Sequence, residues 1–120
     1  MAYETIAVRD GNGVRTITLN RPDDLNAVDD RVTTELKKEL KGVARDRSVR
    51  CLVLTGAGRA FCAGQDLKAA TNRSEPMDFA SDLRRRYNPV VTALRGLEVP
   101  TIACVNGVAA GAGWSLALAC

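Results

Sequence analysis

Histidine is absent from the 120 residues, which removes the usual general base: neither a Ser-His-Asp nor a Cys-His arrangement can be built. Aromatic residues are scarce, with 2 Phe, 2 Tyr and 1 Trp, so base stacking has little to work with. A formal net charge of +3, from 17 basic and 14 acidic residues, is too mild for a nucleic-acid surface. It better suits a polyanionic small molecule. The four cysteines, Cys51, Cys62, Cys104 and Cys120, form no C-x-x-C pair, and without histidine no metal site is expected. No apolar run reaches the ~18 residues of a membrane span. Met1 to Arg9 lacks the basic-then-apolar pattern of a secretory leader. Free thiols then fit a cytoplasmic protein, and the length leaves room for one core and no second domain.

What is present reads as alternating strands and helices. Thr5 to Arg9 and Val14 to Leu19 are strands around an Asp10-Gly11-Asn12-Gly13 turn. Asn20 to Asp24 is a loop. Val32, Leu36, Leu40 and Val43 form one stripe of a helix from about Asp29 to Ala44, capped by Asp29 or Asp30. The unbroken run Cys51 to Thr55 suits a strand covered on both faces. Gly56 to Asp66 is a loop, and Lys68 to Met77 is polar and uninformative. Phe79, Leu83 and Tyr87 suggest a helix face, which Asn88-Pro89 restarts as N-cap and N1. Ile102 to Val105 reads as a buried strand, and Gly111 to Cys120 as an apolar helix. The order predicts an α/β fold with right-handed crossovers. The last helix stops with no Gly, Asn or basic residue to close it. The expectation is therefore that residues 1–120 are the N-terminal part of a single domain. Ala117, Leu118 and the strand from Ile102 to Val105 would then lack covering layers.

Two segments carry candidate chemistry. The loop from Gly56 to Asp66 fails as a dinucleotide fingerprint, because Phe61 stands at the third glycine position. It fails as a Walker A loop for want of Gly-Lys-Ser/Thr. A tight surface turn explains Gly56 and Gly58 but not the small residues around Gly64. The second segment, Gly107 to Trp114, leads glycines and alanines into the last helix. Its first amides have no internal partners and sit at the positive end of the helix dipole. An anionic oxygen would be stabilised there, although close packing alone also selects Gly and Ala.

Together these segments resemble the enoyl-CoA hydratase/isomerase, or crotonase, family. The likeness rests on Leu19-Asn20-Arg21-Pro22 with Leu25-Asn26-Ala27, Val53-Leu54-Thr55-Gly56, Phe61 to Leu67, and Pro100 to Gly107 leading into Gly111-Ala112-Gly113. It implies a crotonase-like ββα spiral, cut off just after the helix of the second segment begins. It also implies an oxyanion hole made of the backbone N–H groups of Gln65 and Ala112, holding the enolate of an acyl-CoA thioester. Coenzyme A would enter as part of the substrate, with no permanently bound cofactor. Ala63 and its neighbours Gln65, Asp66 and Leu67 would hold the adenine end, with Arg21, Asn26 and Lys68 along the phosphates or pantetheine arm.

The first hydratase glutamate of the family falls on Ser115, whose hydroxyl is no base at neutral pH. Isomerisation is therefore expected over hydration, with the working carboxylate beyond Cys120. The subgroup most similar is the phenylacetate-pathway isomerases, which rearrange a ring epoxide of phenylacetyl-CoA. Hydratase activity and a non-catalytic CoA-ester binding module stand as alternatives. Asp66 reads as a helix cap before a catalytic base, and Cys62 as a buried thiol. The resemblance further implies a homotrimer or hexamer, assembled through C-terminal helices outside residues 1–120.

Overall fold

The structure, a computed structural model, describes residues 2–71 and 78–120. The chain opens with a hairpin of β1 (Ile6–Gly11) and β2 (Val14–Leu19). Asn12 and Gly13 turn it with φ of 55° and 83°, the left-handed pair a two-residue hairpin demands. The turn is thus narrower than the expected Asp10 to Gly13. Helix α1 (Asp30–Arg45) follows, with the Asp29 carboxylate accepting from the Val32 N–H at 3.0 Å. Its stripe of Val32, Leu36, Leu40 and Val43 is buried, and burial of that face stabilises the helix far more than propensity does.

Strand β3 (Cys51–Gly56) then pairs parallel to β2, with Ile17 opposite Leu54, and β5 (Thr101–Ala103) pairs parallel to β3. The sheet order is β1-β2-β3-β5. Leu52 and Leu54 are buried while Cys51 and Val53 stay half-exposed. The expected cover on both faces of β3 is therefore found on one. Ile102 and Val105, read as a buried strand that would lack covering layers within residues 1–120, are 51% and 47% exposed.

The segment read as a plain loop contains β4 (Ala60–Cys62), paired parallel with β6 (Val108–Ala109). These strands of three and two residues are too short to leave a periodic signal. Phe61 and Cys62 are completely buried.

Helix α2 spans Leu67–Thr71, and residues 72–77, from the stretch read as uninformative, lie outside the described residues. From α3 (Phe79–Asp82) the chain stays helical through a π-helical stretch (Leu83–Tyr87) into α4 (Asn88–Arg95). Asn88 is itself helical and makes no side-chain cap, so the expected restart does not occur. The cause lies one residue on. Pro89 has no N–H for the Arg85 carbonyl, which would be its partner four residues back. The Arg85 oxygen accepts from Lys37 Nζ of α1 at 3.2 Å instead. The extra residue of the π turn absorbs the mismatch, with the Asn88 N–H donating to Leu83 O. Leu83 is exposed, so the face expected from Phe79, Leu83 and Tyr87 does not pack as a continuous core stripe; the Phe79 side chain is outside the description. The chain closes on α5 (Ala112–Ala119), from which Trp114 and Leu118 project outward.

Candidate active site

The site is built where the end of β4 meets the start of α5. Three backbone hydrogen bonds stitch the segment after β4 onto the loop before α1: Ala63 N–H to Leu25 O at 3.0 Å, Val28 N–H to Gly64 O at 2.7 Å, and Asp66 N–H to Val28 O at 2.8 Å. In such a parallel bridge the residue between the two bonded groups turns its own N–H the other way. That residue is Gln65.

From the other side, the Ala110 N–H donates to Cys62 O at 3.0 Å, which fastens the entry to α5 against β4. Ala112 is the first residue of α5, so its N–H has no intrahelical acceptor. Among the described residues neither the Gln65 nor the Ala112 N–H has a hydrogen-bond partner.

Glycine makes this approach possible. A Cβ on Gly64, whose φ is +106°, would stand 2.9 Å from Ala110 O and 3.6 Å from Ala112 N. Gly111 adopts φ 54° and ψ −125°, a conformation open to little but glycine.

Gln65 and Ala112 both line a mainly apolar cavity of ≈ 440 Å³, together with Leu83, Tyr87, Val91, Leu116 and the polar Asp82 and Ser115. The Tyr87 hydroxyl donates to Gln65 Oε1. Burial pushes the Tyr87 phenol up to about 12, so it is protonated and a donor at neutral pH. Ser115 is exposed, its hydroxyl 3.4 Å from Gly111 O. Burial likewise raises the Cys62 thiol above its ordinary value, which keeps it a core group and no nucleophile.

The other anticipated residues divide into two groups. Asp66 caps α2, its Oδ1 accepting from the N–H of Lys68 at 3.0 Å and of Ala69 at 3.1 Å. Its Oδ2 pairs with Arg21 at 3.0 Å. The Ala69 N–H first, then Arg21, hold its carboxyl below the usual range against the opposing effect of burial. Arg21 is itself committed, donating to Ala27 O at 2.6 Å and to Asp24 at 3.2 Å.

Asn26 is 1% exposed. Its amide donates to Ala57 O and Ala60 O, each at 2.9 Å, while its carbonyl accepts from the Arg21 N–H at 2.8 Å. Every side-chain donor is satisfied inside the protein, so the expected contact of Asn26 with a cofactor arm gives way to a bracing role. Ala63 is half-buried, whereas Leu67 and Lys68 are exposed. The structure thus brings Gln65 and Ala112 to one cavity, whose lining does not include Ala63, Leu67 or Lys68. Tyr87 escaped the sequence reading as a site residue. Its only signal was the i, i+4 spacing with Leu83, which a core helix shares.

A sheet led by a hairpin, with the short β4–β6 pair leading into Gln65 and Ala112, is the frame of the site. Residues 9–120 match the enoyl-CoA hydratase/isomerase family, and the chain belongs to it. It is 53% identical over 110 residues to the 1,2-epoxyphenylacetyl-CoA isomerase of Escherichia coli, covering 88% of this chain and 41% of that one. To a Rhodobacter capsulatus protein named "Probable enoyl-CoA hydratase" it is 41% identical over 119 residues, 99% of this chain and 45% of the other. The crystal structure of an enoyl-CoA hydratase/isomerase from Xanthobacter autotrophicus superposes with a TM-score of 0.90 at 34% identity, covering 99% of this chain and 45% of that one. The chain therefore spans less than half the length of these relatives. Among the described residues no helix is long and apolar enough to cross a membrane, and no cluster of His, Cys, Asp or Glu could hold a metal.

Proposed function

We propose that the protein of which these residues form part is an acyl-CoA isomerase, working through a thioester enolate held by the backbone N–H groups of Gln65 and Ala112. The observation that carries this reading is that Gln65 and Ala112, whose N–H groups have no hydrogen-bond partner among the described residues, line one mainly apolar cavity. When a proton leaves the carbon next to a thioester, negative charge gathers on the carbonyl oxygen. Two fixed N–H dipoles meet it without reorganising, and each such donor is worth roughly 3 kcal/mol of barrier. Coenzyme A belongs to the substrate in this scheme, and no resident cofactor is invoked.

Isomerisation is favoured over hydration because Ser115 stands where a hydratase would need a carboxylate. Its hydroxyl can neither take a proton from water nor return one at neutral pH. Asp66 is no substitute, since it is spent on its cap and on Arg21. The proposal assigns proton transfer to an acid outside residues 1–120. The relative named 1,2-epoxyphenylacetyl-CoA isomerase supports extending it to ring-epoxide isomerisation of phenylacetyl-CoA. A cytoplasmic homotrimer or hexamer completes the reading.

The test is an assay of the full-length protein on 3-enoyl-CoA esters and on crotonyl-CoA in parallel. Double-bond shift with negligible hydration is expected. Robust hydration of crotonyl-CoA would overturn the preference for isomerisation, and tight binding of both without turnover would favour a binding module.

A further inference from the structure

Tyr87 is a polar group of the cavity that the proposed chemistry leaves unused, and it is held on more than one side. Its ring is half-buried against the core, and the Arg86 guanidinium lies 5.1 Å from the ring centre, a cation–π distance. Arg86 is itself buried and pinned between two elements: its Nε is 2.8 Å from Asp30 of α1, and its Nη1 is 3.6 Å from Asp82. Both residues belong to the π-helical stretch. A π turn adds one residue to the helical repeat and so shifts where the neighbouring side chains point. Here it directs Tyr87 onto the Gln65 side chain.

We propose that Tyr87 is a positioning residue for the Gln65 amide. The inference rests on the oxyanion-hole reading and adds the device that aims it. The peptide plane carrying the Gln65 N–H is held at its carbonyl by Val28. On the other side of the Gln65 Cα, the Asp66 N–H donates to Val28 O, so backbone bonds bracket Gln65 while its own N–H is left without a partner among the described residues. The hydrogen bond from Tyr87 to Gln65 Oε1 adds a side-chain restraint to the residue that lies between those two backbone bonds. Hydroxyl and amide act as one unit, through the Gln65 side chain and not through the substrate.

The probe is acetoacetyl-CoA, a β-ketothioester whose enolate absorbs in the near ultraviolet, bound to the full-length protein. The spectrum reports the enolate fraction, and titration gives the dissociation constant of the keto form separately. Tyr87→Phe keeps the ring and its contact with Arg86 and removes only the hydroxyl. It should cut the bound enolate-to-keto ratio by about fivefold, the range of one hydrogen bond, with keto affinity little changed. Gln65→Ala should give the same reduction, and the double variant no more than either alone. Losses that multiply in the double variant, or a Tyr87→Phe protein identical to the parent, would overturn the proposal while leaving the amide reading intact. A parent protein that does not enrich the enolate, or a Gln65→Pro variant as competent as Gln65→Ala, would sink the amide reading and this proposal with it.

Discussion

Gly113 lies so close to the end of β4 that a Cβ at that position would stand 2.2 Å from the Cys62 carbonyl oxygen. Backbone cannot step aside as a flexible side chain can, so the contact sets how near α5 comes to Gln65. Gly113→Ala should therefore destabilise the full-length protein by on the order of 1–3 kcal/mol, the usual cost of forcing an extra carbon into a packed site. Gly42→Ala is the control. It lies in α1 with nothing within 4 Å of the added carbon and should gain up to about 1 kcal/mol in helix propensity. Urea midpoints moving in opposite directions would bear this out.

Among the described residues the Gln65 N–H makes no hydrogen bond, so proline at this position removes a donor without breaking a bond described there. Gln65→Pro should lower turnover by a factor of several hundred, the loss of one oxyanion donor. Gln65→Ala keeps the N–H and should retain at least roughly a tenth of the parent rate, since it loses at most one side-chain hydrogen bond. Equal impairment in the two proteins would remove the backbone from the mechanism.

Asn26 ties its own loop, at Arg21, to the segment from Ala57 to Ala60, from a left-handed conformation with φ 58°. Asn26→Ala leaves the Ala57 carbonyl without its side-chain donor and the Ala60 carbonyl with Asn106 alone, and it loses asparagine's tolerance of the left-handed region, for a cost of at least ~2 kcal/mol. Asn26→Gly should recover only the conformational part. Affinity for coenzyme A in the folded fraction is expected to stay close to that of the parent. A large loss of affinity at unchanged stability would restore Asn26 as a direct ligand.

Acid should act through Asp66. Its carboxyl titrates below the usual value in the folded protein, through the Ala69 N–H first and then Arg21. A depressed folded value means that its stabilisation is complete above the unfolded value of about 3.9. That stabilisation fades as pH falls through the lower folded value. Asp66→Asn can still cap α2 but loses the charge. The variant should be less stable than the parent at pH 7, and the gap should close on acidification into that window. A gap independent of pH in urea titrations would contradict the ion pair with Arg21.

Much of this was decided locally. The stripe from Val32 to Val43, the Asp29 cap, the Asn12-Gly13 turn and the apolar run at Leu52 to Leu54 each depend on neighbours within a few residues. Spacing therefore reveals them. The two glycine-rich segments were equally visible, because a backbone that needs positive φ or close approach has few residues to choose from.

Other features exist only through partners far along the chain. Strands β4 and β6 are ordered by pairing across more than 40 positions, from Ala60 to Val108, and neither would form alone. Asn26 and Arg21 look like solvated polar residues until the carbonyls of Ala57 and Ala60 and the carboxylate of Asp66 close around them. The hydrogen bond from Tyr87 to Gln65 depends on a π turn, which follows from the missing N–H of Pro89 and the arrival of Lys37 from α1. Side-chain type and spacing thus determined the longer elements and the two glycine-rich segments, while the candidate amides within them came from the family resemblance. Tertiary packing alone decided which polar groups are spent inside the fold and which are left to face the cavity, because satisfaction of a hydrogen bond belongs to the pair and not to either residue.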